Sequence, residues 1–456
     1  MINLSILSNF KTDVCSINAK IKYICDKQNI TYQKIADGMI ASLADGASSA
    51  KRFLNCAEPN GIELDFIKVY LGMEYMPFTE NDVKSFHELL YTYRDAMLNG
   101  RINDAENLRE RAKVIKDFPF EPKLTLMYYI FETLEQTIQP SEKNTSAFLP
   151  AILEDYKPLL YELNDAECNY HFARVNGYIK FTQGFLELAS ENYKHALEIS
   201  KANRDFAKDD FTLHYNRALC FSRLDQPYLA IESITSAYKD FKGERNGLIH
   251  LHADCILALN YIRINEMQEA KDLLEQILVQ SVALGNEDIT GDAYMWLGVL
   301  NRRSGKYYDS INYHTRASRY INYDSMTYLE NLFQLCRSTL ASGDIAAFRD
   351  LMIENESLFT RNPTYNILFT ALDFAAKIKT EGIGDCIKAI EYIEKTAIPH
   401  LLKISNSFET IDLCTTLIKH YKETNNAVKT LEIYETINNI NDKMFYRNVS
   451  ALVRGF

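Results

Sequence analysis

The sequence predicts an all-α protein: a small N-terminal helical head followed by a right-handed superhelical solenoid of about nine helical hairpins. Three observations predict it. First, a turn-former followed five positions later by a small or compact residue returns nine times: Gly100/Ala105, Glu142/Ala147, Gly184/Ala189, Asp225/Ala230, Asn265/Ala270, Gly305/Ser310, Gly343/Phe348, Gly384/Ala389 and Asn425/Thr430. The second members are 42, 42, 41, 40, 40, 38, 41 and 41 residues apart, a period in the solenoid range. Second, only ten prolines occur in 456 residues rich in Leu, Ile, Ala, Glu and Lys, which favours helix throughout. Third, the pattern of the first 75 residues differs from that of the rest, dividing the chain into a head (1–75) and a repeat region (76–456).

The head reads as four short helices. Ile17, Ile21 and Ile24 line one face of the first. Thr31 is the expected N-cap of the second, whose Ile35 and Ala36 pack inward and which Gly38 is expected to end. A polar turn, Asp45-Gly46-Ala47, leads to a third helix, Ser48 to Asn55, and Ile62 to Leu71 form a fourth. These residues resemble the helix-turn-helix of phage-repressor-type regulators. The corresponding elements are Thr31 to Ala36, Ser48 to Asn55, and Leu64 to the Leu71-Gly72 pair, with Tyr32 where that family usually has Gln. The resemblance implies that the third helix enters the major groove, with Thr31, Tyr32, Gln33, Ser48, Ser49, Lys51, Arg52 and Asn55 as the DNA-facing set. Lys51 and Arg52 suit phosphates or guanine edges, and the hydroxyls suit the backbone. The other reading of the head is a capping unit for the solenoid, with Lys51 and Arg52 merely solvated.

In the repeat region the unit from His214 to Phe241 is representative. Tyr215, Ala218, Leu219 and Phe221 fall at helical spacing, Asp225-Gln226-Pro227 breaks the helix, and Ala230, Ile234 and Ala237 resume it. Pro227 suits a first helical turn, where its missing N–H is not needed. Gly, Asn or Asp at eight of the nine turns tolerates the left-handed conformation that closes a helix. The spacings resemble the tetratricopeptide repeat over roughly residues 85–445.

Composition narrows the function. The head holds eight Lys/Arg and eight Asp/Glu, whereas residues 76–456 hold 42 and 53 and carry the whole net charge of −11. An acidic superhelix is a poor surface for phosphate backbones, so any nucleic acid must meet the head. Nine scattered cysteines without a C-x-x-C fit a reducing cytosol and argue against zinc or a disulfide frame. No stretch has the apolar length of a membrane span. No P-loop, G-x-S-x-G or kinase signature occurs. His250 and His252, two apart on a helix, point away from each other and cannot share a metal. No catalytic residue, cofactor or metal is therefore expected, and the chain is not read as an enzyme.

A helix-turn-helix head joined to a tetratricopeptide-like superhelix resembles the peptide-pheromone receptors of Gram-positive bacteria and their phages, with the arbitrium receptors as one branch. That resemblance implies a short signalling peptide in the concave groove, a homodimer, and operator affinity switched by the peptide. An extended peptide brings backbone groups that need partners. Counting back from each turn, the inward-facing candidates are Arg174, Tyr178, Tyr215, Asn216, Arg223, Asn260, Asp292, Arg302, Phe333 and Arg337. Asn216 and Asn260 suit backbone clamps, and Arg302 and Arg337 a terminal carboxylate. The C-terminal units around Ile411 to Ile440 are the expected dimer surface. The alternative is a solenoid that sequesters a protein partner under peptide control without binding DNA.

Overall fold

The structure is a computed structural model and describes residues 17–72, 79–113, 121–138, 149–241, 247–380, 386–404 and 406–453. The expected boundary between 75 and 76, and the turns at Glu142/Ala147 and Gly384, lie outside the described residues. By packing, the chain divides into two compact units, residues 1–207 and 208–456.

Among the described residues the first unit begins with four helices: α1 (Ile17–Gln28), α2 (Tyr32–Ser42), α3 (Gly46–Leu54) and α4 (Gly61–Tyr70). Thr31 caps α2, its hydroxyl accepting from Lys34 N at 3.4 Å. Asn60 and Glu63 form a reciprocal capping box on α4. Their apolar faces meet in one small core containing Ile21, Ile24, Ile35, Met39, Phe53 and Ile67. One expectation fails here: α2 does not end at Gly38 but runs on to Ser42. Gly38 is required by packing, because a Cβ there would lie 2.9 Å from the Tyr70 ring and 3.1 Å from that of Phe66 on α4. The turn before α3 is therefore only Leu43 to Asp45, and Gly46 belongs to the helix. A Cβ at Gly46 would sit 2.3 Å from the Met39 carbonyl oxygen, so α2 and α3 pack backbone to backbone.

Three helical hairpins follow among the described residues: α5 (Glu80–Leu98) with α6 (Ile102–Ala112), α7 (Pro122–Ile138) with α8 (Leu149–Leu163), and α9 (Ala166–Thr182) with α10 (Leu186–Ala202). They share a core built on Phe86, Tyr93, Tyr128, Phe131 and Phe172. The head is tied to them by Lys20–Glu121 at 3.2 Å and by an ion pair between Lys68 and Asp82.

The second unit contains α11 (Asp210–Arg223) with α12 (Pro227–Asp240), α13 (Leu248–Arg263) with α14 (Met267–Ala283), α15 (Glu287–Arg303) with α16 (Tyr307–Ala317), and α17 (Met326–Ser342) with α18 (Ile345–Glu354) and the short α19 (Glu356–Phe359). Next comes α20 (Pro363–Thr380), facing α21 (Ile387–Tyr392) and α22 (Ile398–Lys403). A π-helical turn, Ile393–Ala397, joins those two just before Pro399, whose ring would clash with the carbonyl four residues back in a regular helix. The last hairpin is α23 (Ser407–Glu423) with α24 (Ala427–Val453).

The repeat signature explains this regularity. All seven described turn-formers, Gly100, Gly184, Asp225, Asn265, Gly305, Gly343 and Asn425, have positive φ. All eight described partners, from Ala105 to Thr430, are buried. Seven residues before the turn, the first helix of each pair adjusts to its partner. Gly177 and Gly298 leave room for the rings of Tyr193 and His314, where a Cβ would come within 2.7 and 2.6 Å. Ala218 and Ala258 instead share their cores with the aliphatic Ile234 and Leu274.

Candidate functional site

In the second unit the first helices of successive hairpins carry arginines at the repeat period. Arg263 Nη1 donates to the carbonyl and hydroxyl of Ser222, the latter at 3.0 Å. One repeat on, Arg303 Nη1 donates to the Ile262 carbonyl at 2.5 Å. Each guanidinium thus covers the C-terminal end of the preceding first helix, where the helix dipole favours a cation. Asn260 joins this layer: its amide donates to Ser222 Oγ at 3.1 Å and to the Ile256 carbonyl at 2.7 Å, and its Oδ1 accepts from Arg263. Asn260 is completely buried and its polar atoms are committed to holding repeats together. It is therefore not an open clamp for a ligand backbone, a correction to the sequence expectation.

Arg302 and Arg337 do come together. Both donate to Gln334 Oε1, at 3.3 and 3.2 Å. Arg337 pairs with Glu409 at 2.7 Å and also with Asp412, while Arg302 lies 3.9 Å from that same Asp412 carboxylate. Arg302 Nε is buried without a hydrogen-bond partner. Burial, reinforced by the neighbouring Arg337 charge, pushes the Arg302 guanidinium pKa down to about 9. Glu330 is held above the usual carboxylate range by burial and by the nearby Glu409. Phe333 lies beneath Arg337, which sits 5.5 Å from its ring centroid, and is buried.

The carboxylates come from a distant part of the chain. The first turn of α23 folds back across the ends of α11, α13, α15 and α17. Ser407 N donates to Asp225 Oδ2 at 3.1 Å across 182 residues of sequence. Phe408 stacks beneath Arg303 at 4.2 Å and Arg263 at 5.8 Å. Sequence reasoning missed Arg263, Arg303, Phe408, Glu409 and Asp412. A signal existed for the arginines, since Arg223, Arg263 and Arg303 recur at intervals of 40.

The other predicted groove residues divide between the units. Arg174 and Tyr178 lie on α9 in the first. In the second, Tyr215 and Asn216 are half-buried and Arg223 is exposed on α11. Burial, with Asp288 adding repulsion, raises the Asp292 carboxyl pKa to about 6. Near it, burial, with the Asp292 charge adding to it, raises the Tyr215 phenol above its ordinary value.

In the head, Ser48, Lys51 and Arg52 of α3 and its C-cap Asn55 are exposed at spacings of three and four, on one side. Ser49 points inward, 8% exposed, and drops out of the expected DNA-facing set because it sits beside the core residue Ala50. Arg52 Nη2 donates to the Glu58 carbonyl at 3.3 Å and lies 3.7 Å from Glu63. The Tyr32 ring lies 4.8 Å from that of Phe53, tilted by 37°, and its hydroxyl donates to the Asn18 carbonyl, bracing the head from within. Gln33, exposed, bonds Asp37 on its own helix, and Thr31 is occupied as the cap. No described helix is long and apolar enough to cross a membrane.

No family model matches the chain. It is 20% identical to regulatory protein RapD of Bacillus subtilis (strain 168) over 313 residues, 64% of this chain and 84% of that protein. It superposes on a Rap protein complexed with competence and sporulation factor with a TM-score of 0.65 at 16% identity, covering 79% of this chain and 98% of that one. On the apo form of the quorum sensor NprR from B. thuringiensis the TM-score is 0.63 at 17% identity, covering 79% and 99%. The chain therefore has the all-α, tetratricopeptide-like fold of the Rap and NprR quorum-sensing regulators.

Proposed function

We propose that this protein is a transcription regulator whose affinity for an operator is switched by a short peptide held on the first-helix face of the second unit. The observation that carries the reading is the arginine layer on that face, buried Arg337 with half-buried Arg263, Arg302 and Arg303, covered by α23 through Phe408 under Arg263 and Arg303 and through Glu409 and Asp412 beside Arg337 and Arg302. Burying charge is costly unless it is paired, so a site of this kind answers to the ligand that pairs it. The likeness to a Rap protein complexed with a peptide factor supports the same ligand class. Rap-type and NprR-type chains are regulators, and a regulator rather than an enzyme is our reading here.

DNA binding rests on α3, which follows a three-residue turn and presents Ser48, Lys51, Arg52 and Asn55 together. Dimerisation rests on α24, whose Val428, Leu431 and Tyr434 are exposed on one stripe. A peptide that prefers one arrangement of the repeats would alter the spacing of two heads and so the fit to two half-sites. The arbitrium-type lysis–lysogeny switch is one setting for such a device.

The test pairs calorimetry against short synthetic peptides encoded beside the gene with a gel shift on the adjacent promoter. The double variant Lys51→Ala/Arg52→Ala should lose the shifted band and retain peptide binding. If it retains the band, the head is a capping unit. If it loses capture of a protein partner instead, the protein-sequestering reading replaces this one.

A further inference from the structure

Between α17, α20 and α23 lies a cavity of about 190 Å³. Its lining is segregated by chemistry. Phe333, Leu340, Leu368, Leu372 and Leu413 supply apolar surface, while Arg302, Arg337, Glu409 and Asp412 supply charge. A cavity of roughly 150 Å³ lined by Leu, Ile and Phe accepts a benzene ring, so this one has room for a branched aliphatic or aromatic side chain.

The two carboxylates on the arginines are not equally held. Glu409 is 13% exposed and bonds Arg337 and Gln334. Asp412 is 52% exposed; it pairs with Arg337 but reaches Arg302 only at 3.9 Å, beyond hydrogen-bonding distance. Arg302 keeps a buried Nε without an acceptor. A buried guanidinium short of an acceptor favours any anion that reaches it, and a planar carboxylate fits its fork. An incoming carboxylate that takes over the pair with Arg337 displaces a half-exposed Asp412 that water can solvate, so the exchange costs little.

We infer that this cavity is the subsite for the last residue of the bound peptide: its apolar side chain fills the cavity and its free carboxylate replaces Asp412 on Arg337 and Arg302. The inference rests on the peptide-receptor reading and adds a rule to it: the ligand ends in an apolar residue with an unmodified C-terminus. Asp412 is then an internal substitute for the ligand, and its release loosens the first turn of α23 from the arginine layer.

The test begins with octapeptides fused to a carrier through their N-termini, so that every C-terminus is free. These are selected on the full-length protein. Enriched sequences are synthesised as free acids and as amides and titrated by calorimetry. The expected result is a shared apolar last residue and an acid that binds at least tenfold more tightly than its amide. Arg302→Gln should erase most of that ratio, and Ala341→Phe, which narrows the cavity from a half-buried position, should weaken acids ending in large side chains by tenfold or more. Asp412→Asn should tighten the acid severalfold and leave the amide unchanged. Thermal melts of each variant establish that it folds. Peptides that bind with any last residue and equally as amides would overturn this inference and leave the receptor reading standing. Absence of any selected binder would overturn both.

Discussion

Removing Arg337 should open the second unit. The side chain is 9% exposed and its partner Glu409 13% exposed, so the pair is buried rather than superficial. In Arg337→Met the guanidinium disappears while Glu409 stays beside the half-buried Glu330, so two neighbouring carboxylates lose the cation that is hydrogen-bonded to Glu409. Breaking a buried pair in this way costs about 3–5 kcal/mol. Glu409→Gln should cost less, about 1–2 kcal/mol, because Arg337 keeps Asp412 and Gln334. The double variant Arg337→Met/Glu409→Met should be less destabilised than the sum of its single changes, with a coupling of about 1–3 kcal/mol. The single tryptophan, Trp296 on α15, makes urea unfolding of this unit readable by fluorescence without interference from the first. Single variants within about 0.5 kcal/mol of the parent and strictly additive in the cycle would refute the claim that α23 closes on the arginine layer.

Further outcomes follow from the same reasoning. Gly46→Ala places a Cβ against the backbone of Met39 and Ile40, neither of which can step aside. It should cost about 1–3 kcal/mol by overpacking and abolish the gel shift, checked by chemical denaturation and electrophoresis. His314 is completely buried against Asn331 and the Gly298 backbone, and burial depresses its pKa to about 4. The unfolded chain therefore takes up a proton here first, and its contribution to stability is lost as pH falls from about 6.5 towards 4, by up to ~1.4 kcal/mol per pH unit. His314→Gln should flatten that part of the profile. Asp292, with its pKa raised to about 6, works in the opposite direction, so Asp292→Asn should steepen it. Leu431→Glu on the exposed stripe of α24 should shift the protein towards monomer in light scattering with little change in its melt.

The solenoid was legible because its signature is local. A left-handed turn residue and a buried small partner lie five positions apart, and each hairpin repeats them. Gly38 was misread for the converse reason. A glycine within a helix looks like a stop, and only the rings of Phe66 and Tyr70, brought in by α4, show why it is needed. The helix-turn-helix resemblance places Ser49 against DNA, and counting back from its turn places Asn260 in the groove. Their burial depends on how neighbouring helices press together, which neither a motif nor a count along the chain encodes. The layer of Arg263 and Arg303 was within reach, since Arg223, Arg263 and Arg303 repeat every 40 residues, but its meaning required the carbonyls of Ser222 and Ile262. The contribution of α23 had no local trace. Phe408, Glu409 and Asp412 read as an ordinary amphipathic first turn, and their partners lie from 72 to about 150 residues away.

Hydrogen exchange followed by mass spectrometry, with and without a peptide from the free-C-terminus selection, tests the central claim most directly. The ligand should slow exchange on α13, α15 and α17, the helices bearing the arginines, and speed it at the first turn of α23. Protection confined to α14 and α16, or to the four helices of the head, would place the peptide elsewhere and contradict the account.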